Sequence, residues 1–346
     1  MHKYCIALLI SLSSLLLQAQ DAKTPFEIRS LSKESIRHIK MQTAGGSLKV
    51  IASESAEARL EIYIQGNNDG DQLSKEEIQE RLRERYELTI EISGNKLIAI
   101  AKQKQGVGNS NWKKSLSISF AAFVPKEVST ELATSGGKIQ LIGISGNQDF
   151  VTSGGGLQID GVSGKIKGRT SGGSILVENS SESIDLITSG GGITARNCTG
   201  TIRLNTSAGS INLNDLKGDI KAVTSGGSVN GETITGELFA TTSGGSIRLN
   251  KLSCDLETAT SGGSIQVSFE TLGKYVRVRN SGGSITLQLP KDKGMDMDIA
   301  ANNLDTKELR NFTGKSTSNG LEGKMNGGGV PVKVRSSGGK VSLVFE

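Results

Sequence analysis

The sequence predicts an all-β fold, a capped single-stranded β-helix (β-solenoid) of 18-residue coils with one short helix inserted near the N-terminal cap. Three observations carry this. Glycine supplies 45 of 346 residues and proline only 4, which excludes collagen and disfavours helices, since each interior Gly costs a helix up to ~1 kcal/mol. The tetrad Thr-Ser-Gly-Gly starts at Thr134, Thr152, Thr170, Thr188, Thr224, Thr242 and Thr260, with Thr-Ser-Ala-Gly at Thr206, every start 18 residues from the last. Between tetrads, apolar and polar residues alternate, the period of strands with one buried face.

In chain order, residues 1–20 read as a secretory signal peptide. Lys3 gives a positive start, Ile6 to Leu17 an apolar stretch, and Gln18-Ala19-Gln20 a cleavage zone, so the mature chain is expected to begin near Asp21. The apolar stretch is shorter than the ~20 residues that span a bilayer, and no later segment approaches that length. The sequence therefore points to an exported protein of the periplasm, cell surface or exterior, without a transmembrane segment in its mature form.

Residues 21–133 read as an N-terminal cap with the first irregular coils. Leu60 to Ile64, Leu88 to Ile92 and Leu97 to Ala101 are strand-like. Ser74-Lys-Glu-Glu77 has the form of a capping box, and Ile78, Leu82 and Tyr86 then mark one helix. Ser115 to Phe120 and Phe123-Val-Pro125 lead into the regular array over 134–290.

With the tetrad Thr as position 1, position 6 is Ile, Leu or Val in all eight coils, from Ile139 to Ile265. Position 8 is apolar except at Gly231, and position 15 is Ile166, Ile184, Ile202, Ile220, Leu238 and Leu256. These positions are predicted to face inward, and positions 7, 9, 14 and 16 outward. Glycines at positions 3, 4 and 13 are expected to supply positive φ at the corners. Stacked ~4.8 Å apart, eight coils make an array roughly 38 Å long. Beyond Asn280, after one interval of 20, the phase breaks; residues 291–346 read as irregular C-terminal coils and a cap, and Thr43-Ala-Gly-Gly and Ser336-Ser-Gly-Gly are outlying cousins of the tetrad.

Charge and chemistry narrow the function more weakly. The net charge of +5 comes from 40 basic and 35 acidic residues, and no Lys/Arg block marks a nucleic-acid surface. Cys198 and Cys254 fall at positions 11 and 13 of coils three rungs apart, about 14 Å along the axis, too far for a disulfide. His38 is the one histidine after the signal, so no His/Cys metal cluster is expected. Asp160, Asp185, Asp219 and Asp255 read as scattered over different positions, so no in-phase acidic column, no calcium site and no other cofactor are expected. Gly-Gly beside Ser lacks the Gly-Lys-Ser/Thr and helix of a phosphate loop.

Phe123-Val-Pro125-Lys126 before the array, the recurring Ser-Gly-Gly-x-Ile/Val-x-Leu/Val, Leu289-Pro290 after it and the closing Val334-Arg-Ser-Ser-Gly-Gly-Lys-Val-Ser-Leu343 resemble a bacterial family known as "putative adhesin", an exported β-strand-repeat domain of unknown function. The resemblance covers roughly residues 40–346. It implies a right-handed β-helix and offers no catalytic residues to transfer.

The function expected is a non-enzymatic, exported binding or scaffold protein of the envelope or surface, with a glycan or another surface component as partner. The competing readings are a polysaccharide-active β-helix enzyme, which would bring carboxylates together on one face, and a self-assembling structural protein. The recurring Thr134, Thr152, Thr170, Thr188, Thr206, Thr224, Thr242 and Thr260 are the candidate site: either hydroxyls bonded within the corners, or a ladder that meets a glycan.

Overall fold

The structure is a computed structural model that describes residues 24–67, 73–105, 114–306 and 309–346. The expected signal peptide over 1–20 lies outside the described residues.

The N-terminal part holds β1 (Glu27–Ser30), β2 (His38–Thr43), β3 (Leu48–Ala52), β4 (Arg59–Gly66), α1 (Lys75–Arg85), β5 (Tyr86–Ser93), β6 (Lys96–Gln103) and β7 (Leu116–Val124). The array follows, first as short strands β8 (Ser129–Thr134), β9 (Ile139–Ile142), β10 (Ser145–Thr152), β11 (Leu157–Asp160), β12 (Ser163–Thr170), β13 (Ile175–Glu178) and β14 (Ser181–Thr188). Strands then run through both faces of a coil: β15 (Ile193–Thr206), β16 (Ile211–Thr224), β17 (Val229–Thr241), β18 (Ile247–Thr260) and β19 (Ile265–Asn280). The C-terminal part comprises β20 (Ile285–Leu289), β21 (Met295–Ala300), β22 (Asn303–Thr306), β23 (Phe312–Thr317), β24 (Gly320–Met325), β25 (Val330–Ser336) and β26 (Lys340–Phe345).

All pairings within the array are parallel, and up to β18 they are in phase, Ile193 on Ile211, Ile211 on Val229, Val229 on Ile247. The polypeptide is therefore a β-solenoid, nearly all strand, with one α-helix among the described residues. Positions 6, 8 and 15 face inward as the alternation requires: Ile211, Leu213 and Ile220 are fully buried. Position 17 joins them, with Phe150, Leu186, Leu204, Ala222 and Ala240 in the core. Gly168 makes room in that column, since a Cβ there would strike the Phe150 ring below it and Leu186 above. The interval of 20 is absorbed in β19, where the register with β18 shifts between Cys254 and Leu256.

The outlying tetrads are true rungs. Thr43 pairs with Thr134, and Ser336 with Asn280. Thus the coil of β2 and β3 lies directly against the array, while β6 and β7, later in the chain, lie outside it. At the other end β25 and β26 dock on β19 and β20, and the earlier β21 and β22 cover them. Beyond these rungs the pairing turns antiparallel: β4 on β7 and β5 on β6 at one end, β24 on β21 and β23 on β24 at the other. Helix α1 begins at the predicted capping box, with Ser74 Oγ accepting from the Glu77 amide and Glu77 from the Ser74 amide.

The glycine expectation needs correction. The position 3 and 4 glycines do not have positive φ. Position 4 is glycine because a Cβ there would run into the position 4 carbonyl of the coil below, as Gly155 shows against Gly137. Positive φ occurs at position 13 (Gly164, φ 102°) and at position 10, where Gly143, Gly161, Asn179, Asn197 and Asp215 turn the chain. Short polar side chains and glycine tolerate that left-handed conformation best.

Candidate functional site

The threonine column is an internal lock. Each of Thr134, Thr152, Thr170, Thr188, Thr206, Thr224, Thr242 and Thr260 is buried. Thr206 Oγ1 donates to the Gly191 carbonyl at 2.8 Å and accepts from the Gly209 amide at 3.3 Å. The same pair of bonds recurs at Thr152, Thr170, Thr188, Thr224 and Thr242. The hydroxyl thus links consecutive tetrads through their position 4 glycines. An outward ladder for a glycan does not form, because the hydroxyls face the corner backbone rather than solvent.

The thiols are also internal. Cys198 and Cys254 are free and buried. Burial pushes the Cys254 thiol up to about 12 and raises that of Cys198, so neither is a nucleophile near neutral pH. His38 is exposed at the start of β2. Among the described residues no group of three or more His, Cys, Asp or Glu could hold a metal ion, and no helix is long and apolar enough to cross a membrane.

The outer columns are more ordered than the sequence suggested. Position 16 carries charges of mixed sign, and opposite charges pair between rungs: Lys40 with Glu131 at 2.6 Å and Arg277 with Glu257 at 3.4 Å. In the C-terminal coils Arg335 meets Asp298 at 2.6 Å, and its hydrogen bond holds the Asp298 carboxyl below the usual carboxylate range.

Position 14 overturns one expectation. Asp219, Glu237 and Asp255 share that column on consecutive rungs, so acidic residues do recur in phase. Tyr275 Oη donates to Glu237 Oε1 at 2.8 Å, and the Arg277 guanidinium lies 4.6 Å from the Tyr275 ring centre. The column sits on a flat strand face, with Asp219 and Glu237 exposed to water. Asp255, half-buried, accepts from the Lys274 amide.

The face made by positions 5, 7 and 9 differs. A shallow groove of about 430 Å³ crosses four consecutive coils there, lined by Lys138, Gly156, Gln158, Ser174, Leu176, Gly192, Thr194 and Arg196 together with the backbone of Leu157 and Ile175. Strands β9, β11, β13 and β15 position these residues in strict register, Gln140 on Gln158 on Leu176 on Thr194. Two breaks in the repeat form it. Position 5 is Ser in the coils from Ser210 to Ser264 but Gly at Gly156 and Gly192, and position 7 is polar throughout the array except at Leu176. Neither glycine has positive φ, and a Cβ would approach the Ser174 carbonyl at 3.0 Å from Gly156 and the Ser210 carbonyl at 3.1 Å from Gly192.

Every polar side chain of the groove can donate, and the hydroxyls and the Gln158 carbonyl can also accept. Lys138 Nζ and Gln140 Nε2 both donate to Gln158 Oε1, at 2.6 and 2.7 Å, which turns the amide nitrogen of Gln158 outward. Arg196 makes one bond of 3.2 Å to Glu178, and its side chain is 54% exposed. Sequence reading missed this groove, although glycine in place of the column's serine was a visible signal.

The fold and its stacked tetrads define a β-strand-repeat solenoid. Within it, residues 199–344 match the family model described as Toastrack DUF4097, a domain of unknown function. This agrees with the family resemblance carried by the Ser-Gly-Gly motifs. Among solved structures, one described as a "putative cell adhesion protein" from Clostridium sporogenes ATCC 15579 is similar at 9% identity, covering 92% of this chain and 98% of that chain with a TM-score of 0.20. A superposition that loose carries no argument about function. No curated protein matches the chain.

Proposed function

We propose that the protein is an exported, non-enzymatic binding scaffold of the cell envelope or surface. The observation that carries the reading is the donor-lined groove, held open across four coils of a rigid parallel array by residues that depart from the repeat. A parallel ladder whose corners are each locked by buried threonines deforms little, so the groove is organised before any ligand arrives, which lowers the entropic cost of binding. The chemical columns favour binding over catalysis. The carboxylates of Asp219 and Glu237 lie exposed on an open face, and those beside the groove, Asp160 and Glu178 of the position 9 column, are engaged by Asn179 and Arg196. Export rests on the sequence of the first 20 residues.

The test is co-sedimentation of the purified mature chain with washed envelope fractions and intact cells of its source. Saturable capture by the envelope or the cells is expected. Recovery of the chain entirely in the supernatant, with folding verified by circular dichroism, would overturn the scaffold reading.

A further inference from the structure

We infer that the groove binds an acidic polysaccharide, a chain of sugar rings bearing carboxylates, laid along the solenoid axis; the inference deepens the scaffold reading and rests on it. The groove's length, its donors and its apolar centre each contribute to the assignment.

From the rung of Lys138 to that of Arg196 there are three coil steps, roughly 14 Å, enough for about three sugar rings in an extended chain. The long axis is parallel to the stacking direction, so successive rungs offer similar groups at a regular spacing. A linear polymer with its own repeat fits such a surface better than a compact ligand does.

Every polar side chain in the lining can donate. Lys138 spends one of its N–H donors on Gln158, and Arg196 one of its own on Glu178, so each keeps donors for a ligand. Gln158 offers its amide nitrogen, and Ser174 and Thr194 offer hydroxyls between the two cations. A lining in which every polar side chain can donate, with Lys138 at one end and Arg196, paired on one side with Glu178, at the other, suits an acceptor-rich anion whose charges are spaced apart. Carboxylates on separate rings satisfy this, with charge-assisted bonds at Lys138 and Arg196. Leu176 at the centre is the one apolar outward residue of its column within the array. It suits the C–H face of a sugar ring and offers nothing to an extended anionic peptide backbone.

The departures from the repeat strengthen the argument. Serine occupies position 5 in neighbouring coils without disturbing the ladder, although a Cβ at Gly156 or Gly192 would stand 3.0 or 3.1 Å from the carbonyl of the next coil. Their effect is to clear space on either side of Ser174.

The experiment is titration calorimetry of the mature chain with oligogalacturonate long enough to span the groove, with a neutral gluco-oligosaccharide of equal length and with poly-glutamate. Binding of the uronate is expected, weakening with added salt, with little or none for the neutral sugar and the peptide. Lys138→Ala with Arg196→Gln should weaken uronate binding by about tenfold or more, since two charge-assisted bonds are lost. Lys165→Ala with Lys217→Ala, an equal change in charge on other columns, should alter it less than about twofold. Gly156→Gln with Gly192→Gln should block binding by filling the groove while both cations remain. The charge variants should melt like the parent. Gly156→Ser with Gly192→Ser, which adds the same Cβ atoms but leaves most of the groove clear, controls for any loss of stability in the glutamine variant and should still bind the uronate. No new reducing ends should appear in the uronate.

Equal losses in the two charge variants, or equal binding of poly-glutamate, would show general electrostatic attraction and overturn the proposal. Failure of the chain to bind uronate would overturn it as well. If the envelope still captures the chain in that case, the scaffold reading stands without this ligand; if capture also fails, both fall. Release of reducing ends would replace binding with catalysis.

Discussion

Two adjacent glycines in each tetrad obey different constraints. At position 4 an added Cβ would fall within the carbonyl of the coil below, as at Gly227 against Gly209. At position 3 of the coils from Gly136 to Gly244 it would meet only ordinary contacts, as at Gly226 against Ala208 at 3.5 Å, tightening at Gly262 and Gly282. The one natural exception fits: Thr206-Ser-Ala-Gly places its alanine at position 3. Gly226→Ala should therefore change stability by less than about 1 kcal/mol, while Gly227→Ala should cost at least about 3 kcal/mol, because two backbones must separate. Urea denaturation of the two variants checks this, and equal effects would contradict the stacking argument. Position 10 offers the opposite case. Thr233 holds φ 56°, a conformation costly for a β-branched residue. Thr233→Asn should stabilise the chain by about 1 kcal/mol, read as a higher denaturant midpoint. The glycines themselves were legible in the sequence, but their reasons were not, because contacts between coils are invisible to a one-dimensional pattern. The run of Gly, Gly, Asn, Asn and Asp at position 10 was a readable sign of left-handed corners.

At the scale of the strand, alternation within each coil was legible because inward and outward faces differ in solvation. The inward set at positions 6, 8 and 15 follows from it directly. What alternation cannot show is which outward residues become neighbours, since that needs coil-to-coil register. The 18-residue phase does show it: Asp219, Glu237 and Asp255 all stand at position 14, a column missed because the aspartates were read without the glutamate between them. Like charges on adjacent strands oppose pairing. Glu237→Gln retains an acceptor for Tyr275 and removes the middle charge, so it should stabilise the chain by about 0.5 kcal/mol in low salt, a gain that fades as salt screens the column. The same variant has a spectroscopic signature. Burial first, then the Glu237 hydrogen bond and charge, push the Tyr275 hydroxyl up to about 12 from an ordinary 10.0. Because the folded chain holds this proton more tightly, its contribution to stability is fully present below pH 10 and is lost as pH rises from 10 toward 12. Tyr63, raised to about 12 by burial and then by Glu61, adds to the same window. Absorbance titration should show two late-ionising tyrosines in the parent and an earlier transition for Tyr275 in Glu237→Gln. An unchanged Tyr275 would remove Glu237 from the explanation.

At the scale of the whole molecule, the ends explain how a stack of identical rungs stops. Both termini cross over an outer layer, and both outer layers end in antiparallel strands, β5 and β1 at one end and β23 at the other. A parallel rung from a second copy meets the wrong pairing direction at those strands. Between the ends, stability is close to a sum of coil and neighbour terms, which makes deletion of a coil the sharpest test of the architecture. Removing Thr188 to Asn205 joins Ile187 to Thr206 and keeps every later residue in phase, with Val177 then stacking on Leu213. This variant should fold, with the cooperative unfolding of the parent and a modest loss of stability. Removing Thr206 to Val223 also preserves phase, but sets Ala195 against Gly231 and takes away the Leu213 that lies between them. The small pair leaves a void of the kind that costs roughly 2–5 kcal/mol when a large core side chain is truncated, so this deletion should be clearly less stable. Removing Thr188 to Leu204 leaves Asn205 as one residue too many at the junction. A one-residue slip exchanges buried and exposed faces, so the chain must bulge there, and this variant should be the most sensitive to protease. Circular dichroism, denaturant midpoints and limited proteolysis would rank the three. If the out-of-phase deletion survives while both in-phase deletions unfold, the rungs are not the folding units and the solenoid reading fails with them.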